Sequence, residues 1–340
     1  MEVLVRRFPL LALVVTLAVA PLFSQTAMTP QPKIDRKSPT LDALIASDAT
    51  FEKLSDGHKW TEGPVWSSRG GFLLWSDIPN NVVHKWQGGS VSEFLKPSGY
   101  SGSEPFTGPE PGSNGLTFDR EGHLILCQHG DRRVARLDSP GKFTVLADKY
   151  EGKRLNSPND VIVHSTGAIY FTDPPYGLPG RWDDPKKELP FQGVYRRAAD
   201  GTVTLLTKEL YAPNGLAFSP DEKTLYVAQS DPKKAIWMTY PVKADGTLGE
   251  GKVFADSTAL IGDANPGLPD GMKVDTKGNI WATGPGGIWI FTAAGEHLGT
   301  IATGVPTANL AWGDDGSTLY ITANHAVWRV KTKTKGKIPG

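Results

Sequence analysis

Six times along this chain a polar residue stands directly before a short apolar alternation. The copies are Glu62-Gly63-Pro64-Val65-Trp66, Asn114-Gly115-Leu116-Thr117-Phe118, Asn159-Asp160-Val161-Ile162-Val163, Asn214-Gly215-Leu216-Ala217-Phe218, Asp270-Gly271-Met272-Lys273-Val274 and Asn309-Leu310-Ala311-Trp312. Most of these polar residues sit in a Gly or Pro setting that fixes the backbone, and each alternation reads as a strand. Successive copies are 39 to 56 residues apart, a loose period matching a four-stranded propeller blade of roughly 40–50 residues. A repeat of this kind restricts the chain to copies of one strand unit packed side by side.

Each copy continues through a polar turn into a second apolar run, such as Phe72-Leu73-Leu74-Trp75 or Ile280-Trp281-Ala282-Thr283, and then a third, such as Gly287 to Phe291. A fourth run follows in five copies and is missing after Lys331; Thr50 to Ser55, just before the first copy, can supply it. The expectation is an all-β, six-bladed β-propeller of four-stranded antiparallel blades over residues 49–333, its ring closed by an N-terminal strand. Closure of that kind leaves no open innermost edge. The 38 Gly, 27 Pro and 10 Trp suit short strands joined by many turns.

The flanks read differently. Arg6 and Arg7 precede the apolar run Phe8 to Phe23 and the polar exit Ser24-Gln25-Thr26, the layout of a secretory signal over residues 1–27, cut after Ser24 or Ala27. An uncleaved anchor is the alternative, since the run is near the lower limit for a membrane span, about 17 residues. Cys127 is the single cysteine, so no internal disulfide forms and the core must hold the fold. A secreted or periplasmic address follows, with no stable membrane span after cleavage. Residues 28–48 read as a flexible linker and residues 334–340 as a tail. The 36 basic and 36 acidic residues cancel, so nothing marks a nucleic-acid or polybasic membrane surface, and a small neutral or anionic ligand is the better expectation.

If the first strand of each repeat is innermost, the six leading polar residues converge on one mouth of the central channel. The long segments Lys96 to Ser113 and Asp173 to Phe191 fall on the same face; loops beyond about 12–15 residues are often lids or binding loops. Glu62, Asn159, Asn214 and Asp270 offer only oxygen, which suits a hard cation, whereas zinc would more usually show His or Cys at local spacing. The plainer reading makes Asn-Gly and Asp-Gly simple turn formers; against it stands the shared register in every repeat. His129, after the second strand of blade two, should face the same mouth, or else is a surface turn histidine. The other histidines, His58 and His84 among them, lie away from this register and carry no role. The Gly-x-Ser-x-Gly elbow, His-Glu-x-x-His, Cys-x-x-Cys and the phosphate-binding Gly-rich loop are all absent, which disfavours serine and zinc mechanisms.

Over roughly residues 50–330 the chain resembles the SMP-30/gluconolactonase-like six-bladed propellers. The resemblance rests on Glu-Gly-Pro-Val-Trp, Leu-Asn-Ser-Pro-Asn-Asp-Val, Tyr-Phe-Thr-Asp-Pro-Pro-Tyr-Gly, Pro-Asn-Gly-Leu-Ala-Phe-Ser-Pro-Asp and Pro-Asp-Gly-Met-Lys-Val-Asp as they stand here. It implies a lactonase acting on a small-molecule sugar lactone of the gluconolactone kind and dependent on one divalent cation, usually Ca²⁺, with Mg²⁺, Mn²⁺ or Zn²⁺ as alternatives. It maps the metal ligands onto Glu62, Asn159, Asn214 and Asp270, the acid/base group onto Asp270, and substrate contacts onto Asn114 and His129. An arylesterase or organophosphate hydrolase on the same metal site, with an aromatic-lined pocket, is one competing expectation. A non-catalytic calcium-stabilised binding propeller is the other.

Overall fold

The structure, a computed structural model, describes residues 1–2 and 30–340. The expected signal therefore lies outside the described residues apart from its first two. Six antiparallel sheets surround a central channel, each begun by an inner strand: Thr61–Ser67, Ser113–Phe118, Val161–Val163, Pro213–Phe218, Met272–Val274 and Thr307–Gly313. Five sheets have four strands and the fifth blade has five. The ring closes as expected: Phe51–Ser55 pairs with Ala326–Lys331, with Phe51 opposite Val330.

Burial explains why the strands read as they do. Inner and second strands are covered on both faces, so Thr61–Ser67 and Thr318–Ala323 are buried at every position. The outer strand Ser90–Leu95 is exposed at all positions but the last, with Val91 and Phe94 open to solvent beside Ser90, Ser92 and Glu93. Between blades pack aromatic and aliphatic clusters, such as Trp281 edge-on to Trp312 with ring centroids 5.3 Å apart. Each fully buried large apolar side chain contributes roughly 1.5–3 kcal/mol.

The glycine after the leading polar residue has a packing reason. A Cβ on Gly63 would collide with the backbone carbonyl of Asn114 in the next blade, and one on Gly215 with that of Asp270. The inner strands therefore close tightly around the axis only because these positions lack a side chain.

Both flanks depart from expectation. Among its described residues, the 28–48 stretch is no flexible linker. Lys33–Arg36 adds the fifth strand to blade five, with Ile34 opposite Ile301. A 3₁₀ turn, Pro39–Ala43, then buries Leu41, Leu44 and Ile45 against Leu298 and Ile301. The segment covers an otherwise open outer edge. Residues 334–340 are likewise no free tail: buried Thr334 donates to Asp275 Oδ2 at 2.9 Å, and Gly336 bridges Asp275. Among the described residues no helix is long and apolar enough to cross a membrane.

Candidate active site

Five of the six leading polar residues meet at one mouth; the sixth, Asn309, stays out of the lining and bonds to Glu62. Glu62, Asn114, Asn159, Asn214 and Asp270 all line a cavity of about 610 Å³ there. In blades one, two and four the strand register slips where the polar residue stands, between Glu62 and Val65, Ser113 and Leu116, and Pro213 and Leu216. Such bulges turn side chains away from the ladder. In blades three and five, Pro158-Asn159-Asp160 and Pro269-Asp270-Gly271 instead delay the strand, which starts only at Val161 and Met272. Two local devices thus deliver side chains to the same place.

The donors are arranged around unmet need. Glu62 Oε2 accepts from the Gly63 N–H at 2.7 Å and from Asn309 Nδ2 at 3.2 Å. Asn214 Nδ2 donates to Ser230 Oγ at 2.9 Å, which leaves Oδ1 as the amide's other group. The Oδ1 atoms of Asn114, Asn159 and Asp270 are buried without a hydrogen-bond partner among the described residues, an expensive state unless something else satisfies them.

The electrostatics point the same way. Burial, with the nearby Asp160 charge, pushes the Glu62 carboxyl up to about 8, against the opposing pull of the Gly63 N–H, Asn309 and Lys273. Burial and the charges of Glu62, Asp160 and Glu110 raise Asp270 well above the carboxylate range. Burial also raises Asp160, whose Oδ2 has no partner. Three carboxyl groups and unpartnered amide oxygens crowd one spot, with Lys273 as the cation that moderates Glu62 and Asp160. An all-oxygen donor set short of positive charge is what a hard divalent cation fits, so the residues present suit the implied metal.

His129 departs from expectation. It follows the second strand Leu124–Gln128 in the right register, but its side chain is wholly buried and does not line the cavity. Glu110, from the 96–113 loop, takes the lining position, with Oε2 at 3.1 Å from His129 Nδ1 and Oε1 at 3.6 Å from Arg181 Nη2. Both long loops thus reach the mouth, and His129 supports the wall from behind.

Sequence reasoning missed four loop residues that complete the mouth, Glu110, Arg181, Asp263 and Asn265, beside Tyr176 of the second long loop. None has a repeat register to betray it. Among the aromatics of the two long loops only Tyr176 lines the cavity; Tyr100 packs on Phe106 at 5.0 Å, and Trp182 stacks on Tyr211 at 5.1 Å. The mouth is rich in hydrogen-bonding groups, and among the described residues Trp60 and Tyr176 alone give it aromatic surface.

Comparisons with known proteins bear on the family and the fold. The family model described as SMP-30/Gluconolactonase/LRE-like region matches residues 60–325. A gluconolactonase of Zymomonas mobilis subsp. mobilis is 42% identical over 312 residues, spanning 89% of this chain and 87% of its own. A pentonolactonase of Haloferax volcanii is 28% identical over 280 residues, spanning 77% and 80%. The solved structure of a gluconolactonase from Xanthomonas campestris superimposes with a TM-score of 0.77 at 33% identity, covering 90% of this chain and 96% of that one. A match that spans nearly the whole ring, on a fold with the same blade plan, means that the chain belongs to the SMP-30/gluconolactonase/LRE-like family.

Proposed function

We propose that this protein is a lactonase that hydrolyses a polyhydroxylated sugar lactone to its aldonic acid. It would do so with one divalent cation, Ca²⁺ first among the candidates, held by Glu62, Asn159, Asn214 and Asp270. The observation that carries the reading is the mouth itself: buried oxygen donors without partners, ringed by hydrogen-bonding side chains. The lactonase names of the relatives from Zymomonas mobilis and Haloferax volcanii support the reaction class. The lining speaks against the aryl-ester alternative, because Tyr100 and Phe106 pack on each other and Trp182 on Tyr211, which leaves Tyr176 as the one aromatic that the two long loops contribute to the cavity.

When bound, such a cation supplies positive charge where negative charge develops on the lactone carbonyl oxygen. The remaining work falls to the chain. Asp270, buried beside Glu62 and Asp160, has the raised basicity of a general base, although positive charge nearby favours its ionised form. It takes a proton from the water that attacks the carbonyl carbon and returns one to the ring oxygen as the C–O bond breaks. Asn114 presents its unpartnered Oδ1 to the bound molecule, while Glu110, Arg181 and Asn265 provide partners for ring hydroxyls.

Asp270→Asn tests the assignment. Turnover of glucono-δ-lactone should fall by roughly 10²–10⁴-fold, with the cation still bound, though more weakly. Turnover near the wild-type rate would remove Asp270 from the role.

A further inference from the structure

A second set of ligating side chains lies in blade one, behind the mouth wall. His58 is in the loop between the closing strand Phe51–Ser55 and the inner strand Thr61–Ser67, Asp77 ends the second strand Phe72–Asp77, and His84 is on the third, Val82–Gln87. Asp77 Oδ2 is 3.5 Å from His58 Nδ1 and 3.8 Å from His84 Nε2. One ligand atom from each of the three lies within 4.8 Å of the other two. These separations exceed a normal N–H···O bond of about 2.7–3.2 Å. They approach the about 3.3 Å between neighbouring ligands of a tetrahedral ion with bonds of about 2.0–2.1 Å.

The three groups are also held in place. Ser55 Oγ is 2.7 Å from His58 Nε2; with the hydroxyl accepting from Nε2–H, the Nδ1 lone pair is free for an ion. A second polar group that fixes the tautomer and ring orientation is characteristic of histidine ligands. His58 sits edge-on to Trp75 at 5.5 Å, and His84 stacks on the same ring at 5.6 Å. Asp77 is anchored by Asn80 Nδ2 at 2.7 Å and the Trp60 N–H at 3.2 Å. The His58 and Asp77 side chains are 9% and 1% exposed and that of His84 is 20% exposed, so access is from the His84 side.

We infer that His58, Asp77 and His84 bind a transition-metal dication of the zinc class, separately from the all-oxygen mouth. Two imidazoles and a carboxylate leave one position for water and suit Zn²⁺ or Co²⁺, not a hard cation such as Ca²⁺. The position gives the ion something to do. The His58 N–H donates to the His325 carbonyl at 3.2 Å and the His325 ring is 2.8 Å from the His58 carbonyl, across the junction where blade six closes on blade one. An ion there ties the closing loop to blade one and braces Trp60 and Ile78, which line the mouth.

The probe is Co²⁺ added to the metal-stripped full chain, read by visible absorption. One equivalent should give the strong d–d bands of a four-coordinate nitrogen/oxygen site, displaced by Zn²⁺, and Zn²⁺ should raise the melting temperature. His84→Ala and the bulkier His84→Gln should both lose the bands and the thermal shift, whereas Glu62→Gln and Asp270→Asn should keep them. The inference is overturned if wild type shows no such bands, if both His84 variants keep them, or if they vanish in Glu62→Gln instead.

Discussion

The two ends of the central channel are built by the same inner strands and differ in the chemistry that those strands present. At the mouth those strands are led by Glu62, Asn159, Asn214 and Asp270 around a cavity of about 610 Å³. A few residues on they present Val65, Leu116, Val163, Phe218 and Trp312 to a cavity of about 360 Å³, across which Lys337 and Pro339 of the C-terminal segment lie. The far end gains stability from burial. The mouth is opposed by it, since burial there raises Glu62, Asp160 and Asp270 and strands amide oxygens. The proposed site lies where the fold works against itself and a ligand can relieve the conflict.

Substitutions at the two ends should therefore have opposite signatures. Trp312→Ala at the far end removes a ring that is 2% exposed, and denaturant unfolding should show a loss of roughly 3–5 kcal/mol. Its turnover per folded molecule should stay at the wild-type level, the reverse of Asp270→Asn. Glu62→Gln at the mouth should remove repulsion from the crowded carboxyls. In chelator-treated protein it should raise stability by on the order of 1 kcal/mol, a rise of about 1–2 °C for a chain of this size, while weakening cation binding measured by titration calorimetry. A fall in melting temperature would mean that the mouth is not short of positive charge.

The smallest effect concerns pH. Asp314 follows the inner strand Thr307–Gly313 at its far end. Burial pushes its carboxyl up, but Thr318, Lys331 and Tyr320 outweigh burial and leave it below the usual value of 3.8. A carboxyl depressed by folding stabilises the native state above its unfolded pKa, and that contribution disappears as pH falls through the folded one. Asp314→Asn should thus flatten the loss of stability below about pH 4, by a small amount because the group is partly exposed, and leave the pH profile of turnover unchanged.

Much of this contrast was legible in the sequence because it is periodic. The polar residue before each alternation and the strand count both follow from the repeat, and the ring closure by Phe51–Ser55 from the missing sixth outer strand. What was illegible depends on contacts without a period. The Lys33–Arg36 strand is only four residues long and forms because the outer strand His297–Ala302 offers an edge, although Leu41, Leu44 and Ile45 have the i, i+3, i+4 spacing that hints at burial. His129 had the correct register and was displaced by Glu110, whose place depends on how a long loop folds back. His58 and His84, 26 positions apart by their numbering, meet at Asp77 only once strands pair.

The central claim is that the mouth performs lactone hydrolysis with a bound divalent cation. Its most direct test is the initial rate on glucono-δ-lactone before and after EDTA, with Ca²⁺, Mg²⁺, Mn²⁺ and Zn²⁺ added back in turn to wild type and Glu62→Gln. The account predicts that chelation abolishes wild-type turnover, that at least one added ion restores it, and that Glu62→Gln needs far more of that ion. Turnover indifferent to chelation, or none on lactones with the cation demonstrably bound, would contradict it.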